Sequence, residues 1–294
     1  MSDRYAITGA NGNLGVRAIA TLGVSRVRAL VRSPRAKETL LEKFPTLEVF
    51  VVDYTDADSL RIALDGCDVV VHLVGIIKET QFSRYNDAHE RSCEALKQAL
   101  PVSIRHIVYL SIVGSAADSG NSCLASKGRA EDILLNSGVA VSILQVPMVL
   151  GEGDFASSAL KKNSKKRFAL AFRAESLEQP IYAADVIDAI CAAANAEGGG
   201  RFQLAGPESL SRRSLIQRAA HLQGRAVIVL SLPISLGMTM AWVFEFLPNP
   251  PVTRAMLGVL DHDDQIDSQE SLEKLGLTLT PLNKTLSKIL QLLN

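Results

Sequence analysis

The feature that most narrows what this chain can become lies at its start. Arg4-Tyr5-Ala6-Ile7-Thr8 runs into Gly9-Ala10-Asn11-Gly12-Asn13-Leu14-Gly15 and then directly into Val16-Arg17-Ala18-Ile19-Ala20. An apolar run, a glycine-rich turn and a helical pattern, in that order, predict strand, turn and helix. Gly9 permits the tight turn, Gly12 lets backbone N–H groups approach a diphosphate, and Gly15 lets the helix pack closely on the strand. The helix N-terminus then aims unpaired N–H groups and its dipole at the turn. Gly9, Asn11, Gly12, Asn13, Leu14 and Gly15 are therefore expected to cradle the diphosphate of a dinucleotide.

The pattern that follows repeats the alternation. Strands are predicted at 26–31, 47–52, 68–74, 106–111 and 140–146, separated by helices at 34–44, 57–64, 85–100 and 126–137. The period switches between two and about 3.6 each time, with Asp56 expected to cap the helix at 57–64. The run Asp68-Val69-Val70-Val71-His72-Leu73-Val74 is continuously apolar after its first residue, apart from His72, as in a parallel strand buried on both faces. Together these elements predict an α/β fold, a doubly wound parallel-sheet Rossmann fold with a small C-terminal lobe. Residues 1–203 are expected to form the NAD(P)-binding domain, with 147–180 irregular and contributing to the cleft, and 204–294 a smaller substrate-side lobe. A helix is expected from Asp185, as cap, to Asn195, and a strand at 201–204.

Positions at the carboxyl ends of the strands refine the ligand. Where an acid would select the unphosphorylated nucleotide, this chain has Arg32-Ser33-Pro34-Arg35. A guanidinium fork matches a 2′-phosphate in shape and charge, which favours NADP(H) over NAD(H). Asp53 is suited to accept from the adenine amino group, and Leu73, Val74 and Gly75 are expected along the adenosine side.

Charge and cysteine usage exclude other classes. Lys plus Arg and Asp plus Glu both total 31, leaving no global field for nucleic acid. The four cysteines, Cys67, Cys93, Cys123 and Cys191, lack paired spacing, so neither a metal site nor a disulfide framework is expected. The early first strand leaves no space for an export signal, and a cytoplasmic location is expected, with membrane-peripheral association as the alternative. Two stretches bear on that alternative. Lys161-Lys162-Asn163-Ser164-Lys165-Lys166-Arg167 reads as a solvated loop, or else as a phosphate- or lipid-facing patch. Residues 227–247 carry only Glu245 as an ionisable group and read as a buried strand and helix divided by Pro233, or else as a membrane contact or span.

Across nearly its whole length the chain resembles the short-chain dehydrogenase/reductase superfamily, in its extended and atypical branch with the NAD-dependent epimerases and dehydratases. The resemblance rests on the glycine run, Tyr109-Leu110-Ser111, Ser126-Lys127-Gly128-Arg129-Ala130-Glu131, Val146-Pro147-Met148-Val149-Leu150-Gly151 and Ala184-Asp185-Val186. Leu204-Ala205-Gly206-Pro207-Glu208 and Phe246-Leu247-Pro248-Asn249-Pro250-Pro251-Val252-Thr253-Arg254 look more narrowly like bacterial relatives of the NADPH-binding accessory subunit of respiratory complex I.

That resemblance implies a lysine that holds the nicotinamide ribose and a tyrosine four residues before it that exchanges a proton. Lys127 is present, but the preceding position is Cys123. The serine pattern is displaced too, with Ile112 and Val113 after Ser111, and an arginine usual before Pro147 is replaced by Gln145. The resemblance thus implies a protein that binds the dinucleotide through Ser111, Lys127 and Pro147 among others, with little or no turnover. A structural, assembly or sensor role follows, with a protein complex or a membrane surface as partner. The alternative is an active reductase, epimerase or dehydratase using another acid, with Tyr85 and Tyr182 as candidates.

Overall fold

The computed structural model describes residues 3–196, 198–259 and 261–292. The first half alternates strand and helix: β1 (Tyr5–Thr8), α1 (Asn13–Leu22), β2 (Val27–Val31), α2 (Pro34–Lys43), β3 (Glu48–Val51), α3 (Ala57–Leu64), β4 (Val69–His72), α4 (Ser92–Ala99), β5 (His106–Ile112), α5 (Ser122–Leu135) and β6 (Ala140–Val146). Local chemistry starts these helices. Ser33 accepts from the Ala36 N–H ahead of Pro34, and Asp56 accepts from the Asp58 N–H, the cap expected there.

The strands form a seven-stranded sheet in the order β11-β6-β5-β4-β1-β2-β3, with parallel pairing of β1 with β2 and β4, of β2 with β3 and of β4 with β5. The chain reverses direction across the sheet at β1, which makes the carboxyl ends of β1 and β4 a switch point, where such sheets bind ligands. Every residue of β1 and β4 is buried. Each of the three valines of β4 contributes about 1.5–3 kcal/mol by leaving water.

The second half comprises β7 (Val149–Leu150), α6 (Phe155–Ser164), β8 (Phe168–Phe172), β9 (Leu177–Glu178), β10 (Ile181–Tyr182), α7 (Ala183–Asn195), β11 (Gly200–Gln203), β12 (Leu210–Ser211), α8 (Arg212–His221), β13 (Ile228–Leu232), α9 (Ile234–Phe244), α10 (Arg254–Val259), α11 (Gln269–Leu275) and α12 (Leu282–Leu290). The chain divides into two compact units, Met1–Gln145 with Ile187–Phe202, and Val146–Val186 with Gln203–Asn294. In this division 146–186 groups with the C-terminal residues. The second unit has its own core, where Leu150, Leu160, Ala169, Val227 and Val229 meet Leu282, Leu286 and Ile289 of α12.

Four expectations need correction. The stretch 147–180 is not irregular: it holds α6 and three short strands, two of only two residues, too brief for a periodic signal. Lys161 and Lys162 of the cationic run lie in the last turn of α6, where positive charge suits the helix dipole. Asp185 does not cap α7 but sits inside its first turn, with its carboxylate accepting from Thr280 N (2.8 Å) and Thr280 Oγ1 (2.6 Å). Residues 227–247 do form a strand and a helix, yet α9 buries only Gly237 and Ala241. No helix among the described residues is long and apolar enough to cross a membrane.

The close packing of α1 on its strand supplies a test. A Cβ at Gly15 would stand 2.6–2.7 Å from the backbone of Ala10, closer than any backbone can yield without shifting the turn. Gly15→Ala is expected to lower unfolding stability by about 2–3 kcal/mol in urea titrations, despite the better helix propensity of alanine. A neutral or stabilising effect would contradict this packing.

Candidate functional site

The site of the first unit begins where β1 ends. Gly9 adopts φ +67°, and a Cβ there would meet the Leu73 carbonyl carbon and oxygen at 3.1 Å, so the turn lies directly against the end of β4. Its N–H donates to Tyr54 Oη (2.8 Å), and that hydroxyl donates in turn to Leu30 O (2.6 Å) at the end of β2. Burial pushes the Tyr54 phenol up to about 12, so it stays protonated and can serve both bonds.

The turn closes with Gly12 N donating to Gly9 O (3.0 Å), and α1 opens with Val16 N donating to Gly12 O. The first turn of α1 contains no acidic residue, and its cap, Gly12, offers no side-chain acceptor. Most helices cover these donors with Ser, Thr, Asp or Asn. Here they face outward beside exposed Asn11, Gly12 and Asn13, which fits the diphosphate of a dinucleotide.

The neighbouring strand ends carry the other expected residues. Arg32 follows β2, is exposed, and forms no salt bridge among the described residues. Its charge nevertheless helps to lower the Asp53 pKa, after the hydrogen bonds that Asp53 Oδ1 receives from Thr55 N and Oγ1, both 2.8 Å. Asp53 is thus ionised and partly committed to its own loop. Leu73 and Val74 are half-buried beside Gly9, and Gly75 is exposed at the surface of the same loop.

A buried polar cluster underlies that loop. Lys127, on α5, is buried, and its Nζ donates to Tyr109 Oη (3.0 Å) and Leu110 O (2.9 Å) on β5. The ammonium also lies 4.4 Å from the Tyr109 ring centroid, and a Cβ on Gly75 would come within 3.0 Å of it. Desolvation lowers Lys127 to about 8.

His72 at the end of β4 shares a 2.8 Å hydrogen bond between Nδ1 and Thr8 Oγ1 and stacks on Tyr109. His89 Nε2 accepts from Ile76 N (3.1 Å), while His89 Nδ1 is buried with no partner among the described residues. Burial, reinforced by the Lys127 charge, brings both histidines down to about 3. They are neutral at ordinary pH and do not exchange protons there.

Position 123 is occupied as the sequence says. The Cys123 thiol is buried, donates to Ile76 O (3.7 Å), and is pushed up to about 11 by desolvation. A protonated thiol held by a carbonyl is no nucleophile. Beside it stands the phenol of Tyr85, in hydrogen-bond contact with the thiol and donating to Ile77 O (2.9 Å).

Tyr85 opens a π-helical turn, Asn86–Arg91, that runs without interruption into α4, so the helix expected at 85–100 forms with its first part widened. The turn places His89 against the Tyr85 ring, and Ser92 at its end donates to Ala88 O and His89 O. Such one-turn widenings recur at functional sites. The residue types of a π-helical turn are those of an α-helical one, so composition does not announce it.

Ser111 is buried, and its hydroxyl is directed inward. It donates to Glu131 Oε1, whose carboxylate also accepts from Gln145 Nε2 (2.9 Å to Oε1) and from Arg201 Nε (2.9 Å to Oε2). Gln145, noted for replacing an arginine, therefore helps to hold a buried carboxylate, and Ser111 has no proton left to offer elsewhere. Glu131 and Arg201 were missed as partners because they lie far apart in sequence. Pro147, Tyr182 and Asp185 belong to the second unit. There Pro147 follows β6, and Tyr182 Oη donates to Glu152 Oε1 (2.7 Å) beneath the Lys288 ammonium. Among the described residues no group of three or more His, Cys, Asp or Glu side chains is arranged to hold a metal ion.

A doubly wound sheet with an uncapped glycine turn at its switch point is the architecture of a dinucleotide-binding Rossmann fold. Residues 9–197 match the family described as NAD(P)H-binding, and the chain belongs to that family. It is 25% identical over 244 residues to the mitochondrial NADH dehydrogenase (ubiquinone) 1 alpha subcomplex subunit 9 of Arabidopsis thaliana, covering 78% of this chain and 61% of that protein. It is also 30% identical over 154 residues to the ceramide reductase of Caulobacter vibrioides, covering 51% of this chain and 47% of the relative. The chain thus spans less than two thirds of the length of either. The structure of a triphenylmethane reductase from a Citrobacter species superposes with a TM-score of 0.76 at 19% identity, covering 98% of this chain and 99% of that one. At that identity the likeness is one of fold.

The buried histidines make stability depend on pH in a direction fixed by their shift. Between their folded value of about 3 and the ordinary 6.5, the unfolded chain takes up protons that the folded chain refuses, so stability falls as pH falls. Each such histidine adds up to about 1.4 kcal/mol per pH unit to the slope. His72→Gln is expected to flatten the slope by about 1 kcal/mol per unit between about pH 6.5 and 5, above the carboxylate range, in denaturant titrations at stepped pH. An unchanged slope would mean that His72 ionises in place.

Proposed function

We propose that this protein binds NADP(H) and has lost the usual redox step, so that the bound dinucleotide serves a structural, assembly or sensing role in the cytoplasm. The proposed ligand contacts are those expected from sequence. Gly9, Asn11, Gly12, Asn13, Leu14 and Gly15 hold the diphosphate, Arg32 takes the 2′-phosphate, Asp53 accepts from the adenine amino group, and Leu73, Val74 and Gly75 line the adenosine. Lys127 and Pro147 are assigned to the nicotinamide side, with Ser111, its hydroxyl committed to Glu131, behind them, and with residues 1–203 as the binding domain and 204–294 as the lobe that meets substrate or partner. A bound reduced nicotinamide supplies hydride to any acceptor; what is missing is a proton donor on α5.

One observation carries this reading. Position 123 presents a buried thiol, held near 11 and bonded to a backbone carbonyl, four residues before a lysine already engaged by Tyr109 and Leu110. The likeness to a subunit of an NADH dehydrogenase (ubiquinone) subcomplex supports a partner in a protein complex.

A second reading has its own observation. The Tyr85 phenol stands in contact with the Cys123 thiol, so a small residue at 123 leaves a phenol from another element beside the vacated position. The similarity to a ceramide reductase favours a reductase under this reading. Turnover of an NADPH-oxidising carbonyl panel by the wild-type chain, falling about 100-fold or more in Tyr85→Phe, would establish it; no turnover, with tight NADPH binding, leaves the first reading in place.

The nucleotide preference is tested separately by calorimetry. Arg32→Asp is expected to weaken NADPH by about 100-fold, the loss of a charge-assisted bond plus repulsion, and NADH by less than about threefold. Equal losses for the two nucleotides would contradict the role given to Arg32.

A further inference from the structure

The second unit wears its apolar residues on the outside. β8 and β13 form a two-stranded parallel ribbon with Phe168 opposite Ile228, Leu170 opposite Leu230 and Phe172 opposite Leu232. Alternation puts these six side chains on one face. The other face, with Ala169, Ala171 and Val229, is buried, whereas Phe168, Leu170, Ile228 and Leu230 are each about half exposed. A sheet ordinarily gives its bulky face to the core and its small or polar face to water; this ribbon does the reverse.

Pro233 ends the ribbon and α9 begins. A Cβ on Gly237 would stand 3.1 Å from the Phe172 ring, so α9 is pressed against that end of the ribbon by its smallest residues. Its outward stripe, Leu236, Met240 and Val243, follows helical spacing and is exposed, as is Leu247 just beyond the helix. Trp242 is 51% exposed and Phe246 75%, packed edge to face with ring centroids 5.6 Å apart.

The opposite end of the ribbon is cationic. Lys161, Lys162, Lys165, Lys166 and Arg167 lead directly into Phe168, with the Arg167 guanidinium 5.5 Å from the Phe168 ring centroid. None of the five has a carboxylate partner among the described residues: Lys161 is bonded to Gln291 and Lys166 to Asn163, both neutral.

We propose that this face, the outer side of the β8–β13 ribbon with the outer stripe of α9, docks the protein on an anionic phospholipid bilayer, with 161–167 in the headgroup layer and Trp242 and Phe246 in the acyl boundary. The proposal deepens the partner half of the reading above. Charge complementarity selects the occupant. Five unpaired cations beside bulky apolar and aromatic side chains match a surface that is negative outside and apolar within. A second copy of the chain fits less well, because acids near the patch are already paired, Glu245 with Arg254 and Asp261 with Arg173, and have nothing to offer those cations.

Trp242 is the sole tryptophan of the chain, so its emission reports the patch directly. The full-length chain is titrated with vesicles of phosphatidylcholine plus phosphatidylglycerol, and of phosphatidylcholine alone. Blue-shifted emission and protection from acrylamide with the anionic vesicles, and a much weaker response with the neutral ones, are expected. The double variant Lys165→Glu, Lys166→Glu, exposed at both sites, is expected to bind anionic vesicles about thirtyfold more weakly or less tightly still.

Unchanged Trp242 emission with anionic vesicles overturns the proposal, as does binding indifferent to the charge variant. A concentration-dependent dimer that already shields Trp242 and ignores vesicles overturns it in favour of a second copy. NADPH binding is measured on the same preparation without vesicles, so that loss of nucleotide binding with docking intact condemns only the nucleotide reading, and the converse result condemns only the docking face.

Discussion

The structure of the first unit depends on how closely one peptide backbone can approach another at Gly9. There the chain leaves β1, lies against the Leu73 carbonyl at the end of β4, and gives its N–H to a tyrosine hydroxyl that is itself bonded to the end of β2. Three strand ends are thus tied together at one residue. Because β1 sits between β2 and β4 in the sheet, this junction is also the switch point, and the uncapped start of α1 is aimed into it. The fold and the anion-binding potential are consequences of the same contact.

Deeper in the same unit, polar groups are satisfied by one another. Lys127 is bonded to Tyr109 and Leu110, Ser111 to Glu131, and Glu131 to Gln145 and Arg201. Burial drives His72 and His89 to their neutral forms and keeps the Cys123 thiol protonated. A site built for proton exchange holds groups whose pKa values lie near the working pH. Among these groups only Lys127, at about 8, comes close, and it is surrounded by protein atoms. The cluster reads as a rigid floor under the loop at 73–77 rather than as a relay.

Much of this was legible in the chain because the first unit is made of long periodic segments. The strands at β1, β4 and β6, the helix at α3 and the cap at Asp56 fall where spacing puts them, since strands buried on both faces must be continuously apolar. The glycine turn was legible for the same reason: a close approach admits few residue types. Features set by tertiary packing were not. The π-helical turn at 86–91 changes register without changing composition, and Asp185 has the look of a cap but answers to Thr280, ninety-five residues away. The apolar composition of 227–247 fits a core strand and helix as well as it fits a membrane contact. Which side of an apolar helix faces inward is decided by its neighbours, and there the small residues Gly237 and Ala241 take the contact. In the candidate site, the positions of Arg32, Asp53 and Lys127 followed from the strand ends and the motif spacing, while Tyr85 beside Cys123 and the Glu131–Arg201 pair required the folded chain.

The central claim is that the bare N-terminus of α1 and the Gly9 turn exist to hold a dinucleotide's diphosphate. A crystal structure of the full chain grown with NADPH tests it most directly. The account predicts diphosphate oxygens within hydrogen-bond distance of the N–H groups at Asn13 and Leu14, with the Gly9 turn unmoved. A nucleotide bound elsewhere, or a glycine turn left empty at saturating NADPH, would contradict it.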